Sequence, residues 1–442
     1  LSHSSRTRIW QLAWPIILSN ITVPLLGLVD TAVVGHLPDS RYLAAVTLGA
    51  TLFSFLYWGF GFLRMGTTGL TSQAVGRESD GEVKNLLGQA LLMALGIGLA
   101  LILLASPLIE LGLRLLDGSP AATELAREYA HIRLLSAPAV LANYAILGWF
   151  LGQQNSRITL FILVLTNSVN IVLDLWFVVG LGMTSDGVAW ATVIADYTAL
   201  LAGGLLVLRQ LGRLSGHFLR ERLANIKAYG ELFQVNAQLF LRTLGLLFAM
   251  AFFTAQGADQ GDTVLAANAV LLQFIMLTSY ALDGFAQAAE ALVGHAVGRR
   301  DWERFAESVR GAARFSLLAA GIATLAFAVF GNGVIALLTD LPPVRDTAAT
   351  YLPWVIALPL IAVWSYLLDG VFIGATAIRE MRNSIFVGLG VYLPLWWLTQ
   401  PLGNHGLWLS FSAFFLTRSA ILIVYYRHYR KTRWAFNVDQ GR

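Results

Sequence analysis

Ala74-Val75-Gly76-Arg77 closes one long apolar stretch, and Ala296-Val297-Gly298-Arg299 closes another 222 residues later. A matched pair of tetrads at the ends of apolar runs marks an internal duplication. Gly35 and Gly257 stand at the same offset, as do Ala44-Ala45 and Ala266-Ala267, and Gly152 and Gly374; Pro138 and Pro359 are 221 apart. The chain reads as two similar halves.

Around those anchors the apolar stretches can be counted. They run over 9–35, 43–73, 86–113, 123–152, 158–181 and 187–208 in the first half. The second half repeats the series at 228–256, 263–295, 306–338, 346–375, 382–402 and 405–426. Crossing a bilayer takes about 20 residues of helix, so each run is long enough and several have length to spare. Composition agrees: 57% of the 442 residues are hydrophobic and only 13% charged, against about a quarter charged in soluble chains. The expectation is an all-α integral membrane protein of twelve transmembrane helices in two pseudo-symmetric six-helix bundles. Residues 1–208 form the first bundle, 209–227 a basic linker, and 228–442 the second bundle with a basic tail. The first span is expected to remain uncleaved.

Several chemistries are excluded. The chain has no cysteine, which removes disulfides, thiolate metal sites and a cysteine nucleophile together. Its lysines, Lys84, Lys227 and Lys431, lie in polar connections, and none follows a phosphate-binding glycine loop. No H-E-x-x-H or G-x-S-x-G motif appears, so there are no catalytic residues to name and an enzyme is not expected. No cofactor, metal or nucleic acid is implied.

Basic residues orient the chain. Arg6 and Arg8 precede the first span; Arg209, Arg213, Arg220, Arg222 and Lys227 fill the middle connection. Arg299, Arg300 and Arg304 follow the eighth span, and Arg427, Arg430, Lys431, Arg433 and Arg442 the twelfth. The alternate connections hold mainly Arg41, Arg114 and Arg345. Both termini and the linker are therefore expected in the cytoplasm. Six spans per half make the repeats parallel, an arrangement that transporters use to rock two halves around a central site.

Ionisable groups within spans are costly and point to function. Those singled out are Asp30, Arg64, Asp174, Asp196, Arg242, Asp283, Glu290, Asp369 and Arg418. A carboxyl in apolar surroundings can load and unload protons near neutrality. In the first half Asn167, Asn170 and Asp174 share one helical face, on which Asp30 can converge with Asp174 beside Asn170, and the next span adds Thr192 and Asp196. The alternative for Asp30 is contact with interfacial water near the outer end of its span, and Asp196 admits a similar reading. Pro15 and Pro24 mark a bend point in the same span. In the second half Asp283, Gln287 and Glu290 share a face, with Arg242 and Asp369 on neighbouring spans. Arg64 or Arg242 either pairs with Asp283 or Asp369 and locks the halves, or these residues meet substrate. Phe53, Phe55, Tyr57, Trp58, Phe60 and Trp396-Trp397 serve either a cavity lining or interfacial packing.

The chain resembles the MATE (multidrug and toxic compound extrusion) family over essentially its whole length. The resemblance is carried by Leu28-Val29-Asp30-Thr31-Ala32-Val33-Val34-Gly35-His36-Leu37, by Gln73-Ala74-Val75-Gly76-Arg77, and by Asn170-Ile171-Val172-Leu173-Asp174. Gly187-Val188-Ala189-Trp190-Ala191-Thr192 adds to it. Tyr280-Ala281-Leu282-Asp283-Gly284-Phe285 and Leu368-Asp369-Gly370-Val371-Phe372-Ile373-Gly374 look like its DinF-type bacterial branch.

The resemblance implies a V-shaped pair of bundles in the bacterial inner membrane that exports amphipathic, often cationic compounds in exchange for protons or sodium. Asp30 matches the family's first-helix aspartate, and Asn170, Asp174 and Thr192 the polar cluster facing it, together the expected proton site. Pro15 matches a helix-bending proline. Asp369 matches an aspartate that sodium-coupled relatives use. Those relatives also carry a glutamate in the seventh helix, where this chain has Arg242 and no acid over 234–255. A fixed positive charge opposes a bound sodium ion, which favours protons. The expected partners are small amphipathic molecules and the bilayer, the chain acting as a monomer. The rival readings are a lipid-linked precursor flippase of the same superfamily and a sodium-coupled antiporter.

Overall fold

The computed structural model describes residues 3–432, with side chains from residue 5; Arg433 and Arg442 of the basic tail lie outside the described residues. Twelve helices among the described residues are long and apolar enough to cross a membrane. They are α1 Ser5–Gly35, α2 Ser40–Gly76, α3 Asp80–Leu103, α4 Pro120–Gly152, α5 Arg157–Gly180 and α6 Ser185–Leu211. Then come α7 Ile226–Asp259, α8 Asp262–Arg299, α9 Trp302–Leu338, α10 Pro342–Gly374, α11 Ile378–Leu402 and α12 Asn404–Thr432. In an apolar medium helix is the structure that satisfies each backbone donor within its own segment.

One expected span is corrected. The stretch 86–113 is not a single helix: α3 ends at Leu103, and Ala105–Leu116 forms a separate helix of 12 residues. Only Ile109 and Leu113 of that short helix are buried, while Glu110 pairs with Arg127 of α4. Its charged face therefore cannot continue a membrane span.

The duplication recurs in backbone detail. α2 ends at a left-handed residue, Glu78 (φ 58°), and α8 at Arg300 (φ 55°), 222 residues on. α4 and α10 end likewise at Gln154 (φ 63°) and Thr376 (φ 56°), again 222 apart. In each case the following amide reaches back to cap the helix: Ser79 to the Ala74 carbonyl and Asp301 to Ala296, Asn155 to Phe150 and Ala377 to Phe372.

Packing divides the chain into two units, one of residues up to Ile17 together with those from Ala237 onward, the other Leu18–Asn236. These limits differ from the boundaries expected at 208 and 228. The linker is docked within the second of these units. Ser215 donates its amide and hydroxyl to Asp80, the Leu219 amide donates to Asn85 at 2.8 Å, and Gln89 donates to the carbonyls of Arg222 and Ala228. At the other end, Ile9, Leu12 and Ala13 of α1 pack with Phe285, Ala288 and Leu292 of α8. α1 continues as one helix past Pro15, and its allegiance changes between Ile17 and Leu18.

In the Leu18–Asn236 unit α4 packs against α2, α3 and α6, and α5 against α6. In the other, α10 packs against α8, α9 and α12, and α11 against α12. The α2–α4 and α8–α10 crossings are made by glycine. A Cβ on Gly148 would lie 2.4 Å from the Arg64 carbonyl oxygen, and one on Gly370 would lie 2.2 Å from that of Ala286. Gly152 meets Thr71 and Gly374 meets the Glu290 carbonyl in the same way. These are paired G-x-x-x-G segments, the small-residue spacing that lets helix backbones touch. Trp408, Phe411, Phe414, Phe253 and Tyr392 fill the core of the second half.

Gly370→Ala is expected to lower stability by about 1–3 kcal/mol, the usual cost of overpacking. Gly321→Ala, where nothing lies within 4 Å of the added carbon, is the control. Thermal unfolding in detergent, followed by tryptophan fluorescence, should show a clear drop for the first and none for the second.

Candidate functional site

The predicted cluster of the first half assembles. α1 brings Asp30, α5 brings Asn170 and Asp174, and α6 brings Thr192. The spacing of Asn170 and Asp174 puts both on the buried face of α5, at 1% and 0% exposure. Asn167, from the same sequence pattern, is only half-buried. Regular α-helix ends at Asp174, where the π-helical turn Leu175–Gly180 begins, and such irregular turns concentrate at functional positions. Asn170 donates from Nδ2 to the Thr192 hydroxyl at 3.2 Å, and Thr192 donates onward to the Val188 carbonyl at 3.1 Å. The carboxyl groups of Asp30 and Asp174 lie within hydrogen-bonding reach of each other.

What these residues offer is almost wholly acceptor. Asp30 Oδ1, Asn170 Oδ1 and both carboxylate oxygens of Asp174 are buried and meet no donor among the described residues. Buried acceptors without donors are costly, and two facing carboxylates are joined only by a shared proton or a cation. The described residues contain no group of three or more His, Asp or Glu arranged to hold a metal ion.

The second half is built differently. Asp369, 7% exposed, accepts from Arg242 Nη2 at 2.6 Å and from Arg418 Nη2 at 3.0 and 2.9 Å. Asp369 is closed by two guanidiniums from its own half. Of the pairings the sequence left open, Arg242 with Asp369 is found, but both belong to one packing unit, so the pair does not join the halves. Arg64 belongs to the other unit, and its carbonyl accepts from Thr68 and faces Gly148. Asp283 lies in Coulombic reach of the Tyr366 hydroxyl, which bonds Ser279 at 2.6 Å. Glu290, 2% exposed, sits at the α8–α10 crossing with its carbonyl against Gly374.

The 222-residue offset exposes the asymmetry. The counterparts of Asp30, Asn170 and Asp174 are Phe252, Tyr392 and Trp396. Phe252 and Tyr392 pack edge to face, ring centroids 5.4 Å apart. The place that holds acids in one half thus holds aromatic packing in the other.

Arg418 was singled out as a mid-span charge but given no partner, and Arg133 was not singled out. Arg418 had a visible signal, a charge in mid-span, but its partner Asp369 is 49 residues away. Arg133 had a weaker one, because Arg127, Glu128 and His131 just before it look like the end of a span.

The MatE family model matches residues 15–176 and 237–398, two segments whose starts again differ by 222. DNA damage-inducible protein F of Escherichia coli (strain K12) is 46% identical over 436 residues, covering 98% of this chain and 94% of that protein. The probable multidrug resistance protein NorM of Acinetobacter baylyi is 23% identical over 413 residues, 90% of this chain and 88% of that one. Among solved structures, MATE in the bent conformation matches with a TM-score of 0.87 over 97% of this chain and 96% of that one, at 19% identity. That likeness is one of fold.

Removing one member of a buried charge cluster costs about 3–5 kcal/mol, because its partners are left uncompensated. Asp369→Asn is therefore expected to destabilise strongly, leaving Arg242 and Arg418 facing each other. Arg242→Gln leaves the Arg418–Asp369 pair intact and should cost much less. Thermal unfolding of the two variants orders them.

Proposed function

The chain belongs to the MatE family, and from that premise we propose that it is a secondary active antiporter of the bacterial inner membrane, exporting small amphipathic cations in exchange for protons. The observation that carries this reading is the cluster of Asp30, Asn170, Asp174 and Thr192, whose buried carboxylate oxygens meet no donor among the described residues. Homology supports the substrate class: a relative along most of the chain is named for multidrug resistance.

A proton entering the cluster sits between the carboxyls of Asp30 and Asp174. It removes a negative charge from an apolar setting and replaces repulsion with a hydrogen bond. The outer part of α1 can then pack against α5 and α6, and the change is passed along α1 towards Pro15, where the helix lacks a backbone donor. Loss of the negative charge releases a bound cation, and loss of the proton to the cytoplasm restores the site. The two halves alternately open to either side.

Protons are favoured over sodium by the second half. Sodium needs an uncompensated carboxylate with neutral oxygens around it, and Asp369 already holds two guanidiniums. No cofactor takes part, and a single chain carries the complete cluster. Both termini and the linker face the cytoplasm, as the distribution of arginine supports.

In proteoliposomes, substrate-triggered proton release should be independent of sodium and should fall at least tenfold in Asp30→Asn, with the variant still folded. Sodium-dependent exchange, or undiminished exchange in the variant, would overturn the reading. Topology is tested separately, since the chain has no native thiol. Ser215→Cys should react with an impermeant maleimide in inverted vesicles and not in intact cells.

A further inference from the structure

α4 is broken in mid-span. A single 3-10 turn, Leu134–Ser136, separates its two α-helical parts, and Arg133 is the last residue before the break. The Arg133 guanidinium donates to the Tyr129 hydroxyl at 3.1 Å. It also lies 5.0 Å from the centre of the Phe53 ring and 5.9 Å from that of Tyr129. Phe53 and Tyr129 are each 1% exposed, and Nε of Arg133 meets no acceptor among the described residues. The contacts that hold this cation are neutral. An arginine inside a span needs negative charge nearby.

Two carboxylates supply it. Asp196 of α6 and Asp30 of α1 both act on Arg133 through space, and the Asp30 carboxyl is the one that meets Asp174 of α5. The other ionisable groups that act on Arg133 or Asp196 are Tyr57 of α2, Tyr129 and Tyr144 of α4 and Tyr197 of α6, with Arg64 of α2 beside Tyr144. Asp196 is tied to the break itself. Ser136 Oγ is within hydrogen-bonding reach of the Asp196 carboxylate, 2.7 Å from the Arg133 carbonyl and 3.4 Å from the Tyr57 hydroxyl. A serine has one proton to give. With Asp196 charged, Ser136 donates to it and Tyr57 donates to Ser136. With Asp196 protonated, Asp196 itself donates to Ser136, whose proton returns to the Arg133 carbonyl at the 3-10 turn.

The geometry points to Asp196 as a second proton-carrying group, with Arg133 a counter-charge that it shares with the Asp30–Asp174 pair. This rests on the proton-exchange reading above and extends it to stoichiometry. One proton is shared by Asp30 and Asp174, and a second is carried on Asp196. Two protons entering against one monovalent cation leaving makes the exchange electrogenic. Arg133 is a positioning residue, acting through the carboxylates on either side of it.

The test uses the full chain in proteoliposomes with ethidium, a monovalent cation, as the probe. A potential is imposed by potassium and valinomycin at fixed pH gradient. In the wild-type protein a potential that drives protons inward should accelerate ethidium–proton exchange severalfold. Asp196→Asn should retain exchange driven by the pH gradient and lose the response to potential. Arg133→Gln, a second variant that keeps Asp196, should displace the pH profile of exchange, since the charge facing both carboxylates is gone. Electroneutral exchange by the wild-type protein overturns the proposal, as does an unchanged potential response in Asp196→Asn or an unmoved pH profile in Arg133→Gln. In those cases proton coupling through Asp30 stands. If neither the wild-type protein nor Asp30→Asn exchanges protons for ethidium, both readings fall together.

Discussion

In each half, two helices approach until the carbonyl of one occupies the space where the other has no side chain. Gly148 receives the Arg64 carbonyl in this way, and Gly370 that of Ala286. Without a hydrophobic force between helices in lipid, close backbone approach is a main source of attraction. It also decides what can stand beside it. Thr68 donates to the Gly148 carbonyl at 3.1 Å across one crossing, and Glu290 is buried at the other. The remaining helices pack around these two crossings, so the polar groups they carry are held at fixed distances in a medium that offers them no water.

On this shared frame the two halves solve different problems. One gathers buried carboxylates with too few donors among the described residues. The other closes its carboxylate with two arginines and fills the positions equivalent to Asp30, Asn170 and Asp174 with Phe252, Tyr392 and Trp396. The carboxylate of one half is compensated by two guanidiniums, whereas the buried acceptors of the other meet no donor among the described residues. Duplication of a fold therefore did not duplicate its chemistry.

α1 connects these tasks. Its C-terminal part carries Asp30 into the cluster, and its N-terminal part, through Ile9, Leu12 and Ala13, is packed with Phe285 and Leu292 of α8. Pro15 lies two residues before the change of allegiance, where a missing amide weakens the helix. A single helix thus belongs to both packing units.

The twelve spans, the two-fold repeat and the cluster of Asp30, Asn170, Asp174 and Thr192 were legible in the residues alone. Their signals are local or periodic: apolar length, a constant 222-residue offset, and polar residues spaced to share one helical face. The end of α3 at Leu103 was not, because the apolar run continues through it and only the charged face of the next helix reveals the break. Nor were the partners of Asp369, or Arg133 wedged between Phe53 and Tyr129. Those choices depend on which side chains of distant helices meet, and several pairings of the same charges satisfy the same sequence. Helix formation in an apolar medium is settled segment by segment, by backbone hydrogen bonding. Pairing of buried charges is settled only when whole helices pack, because each charge takes the partner that geometry brings within reach.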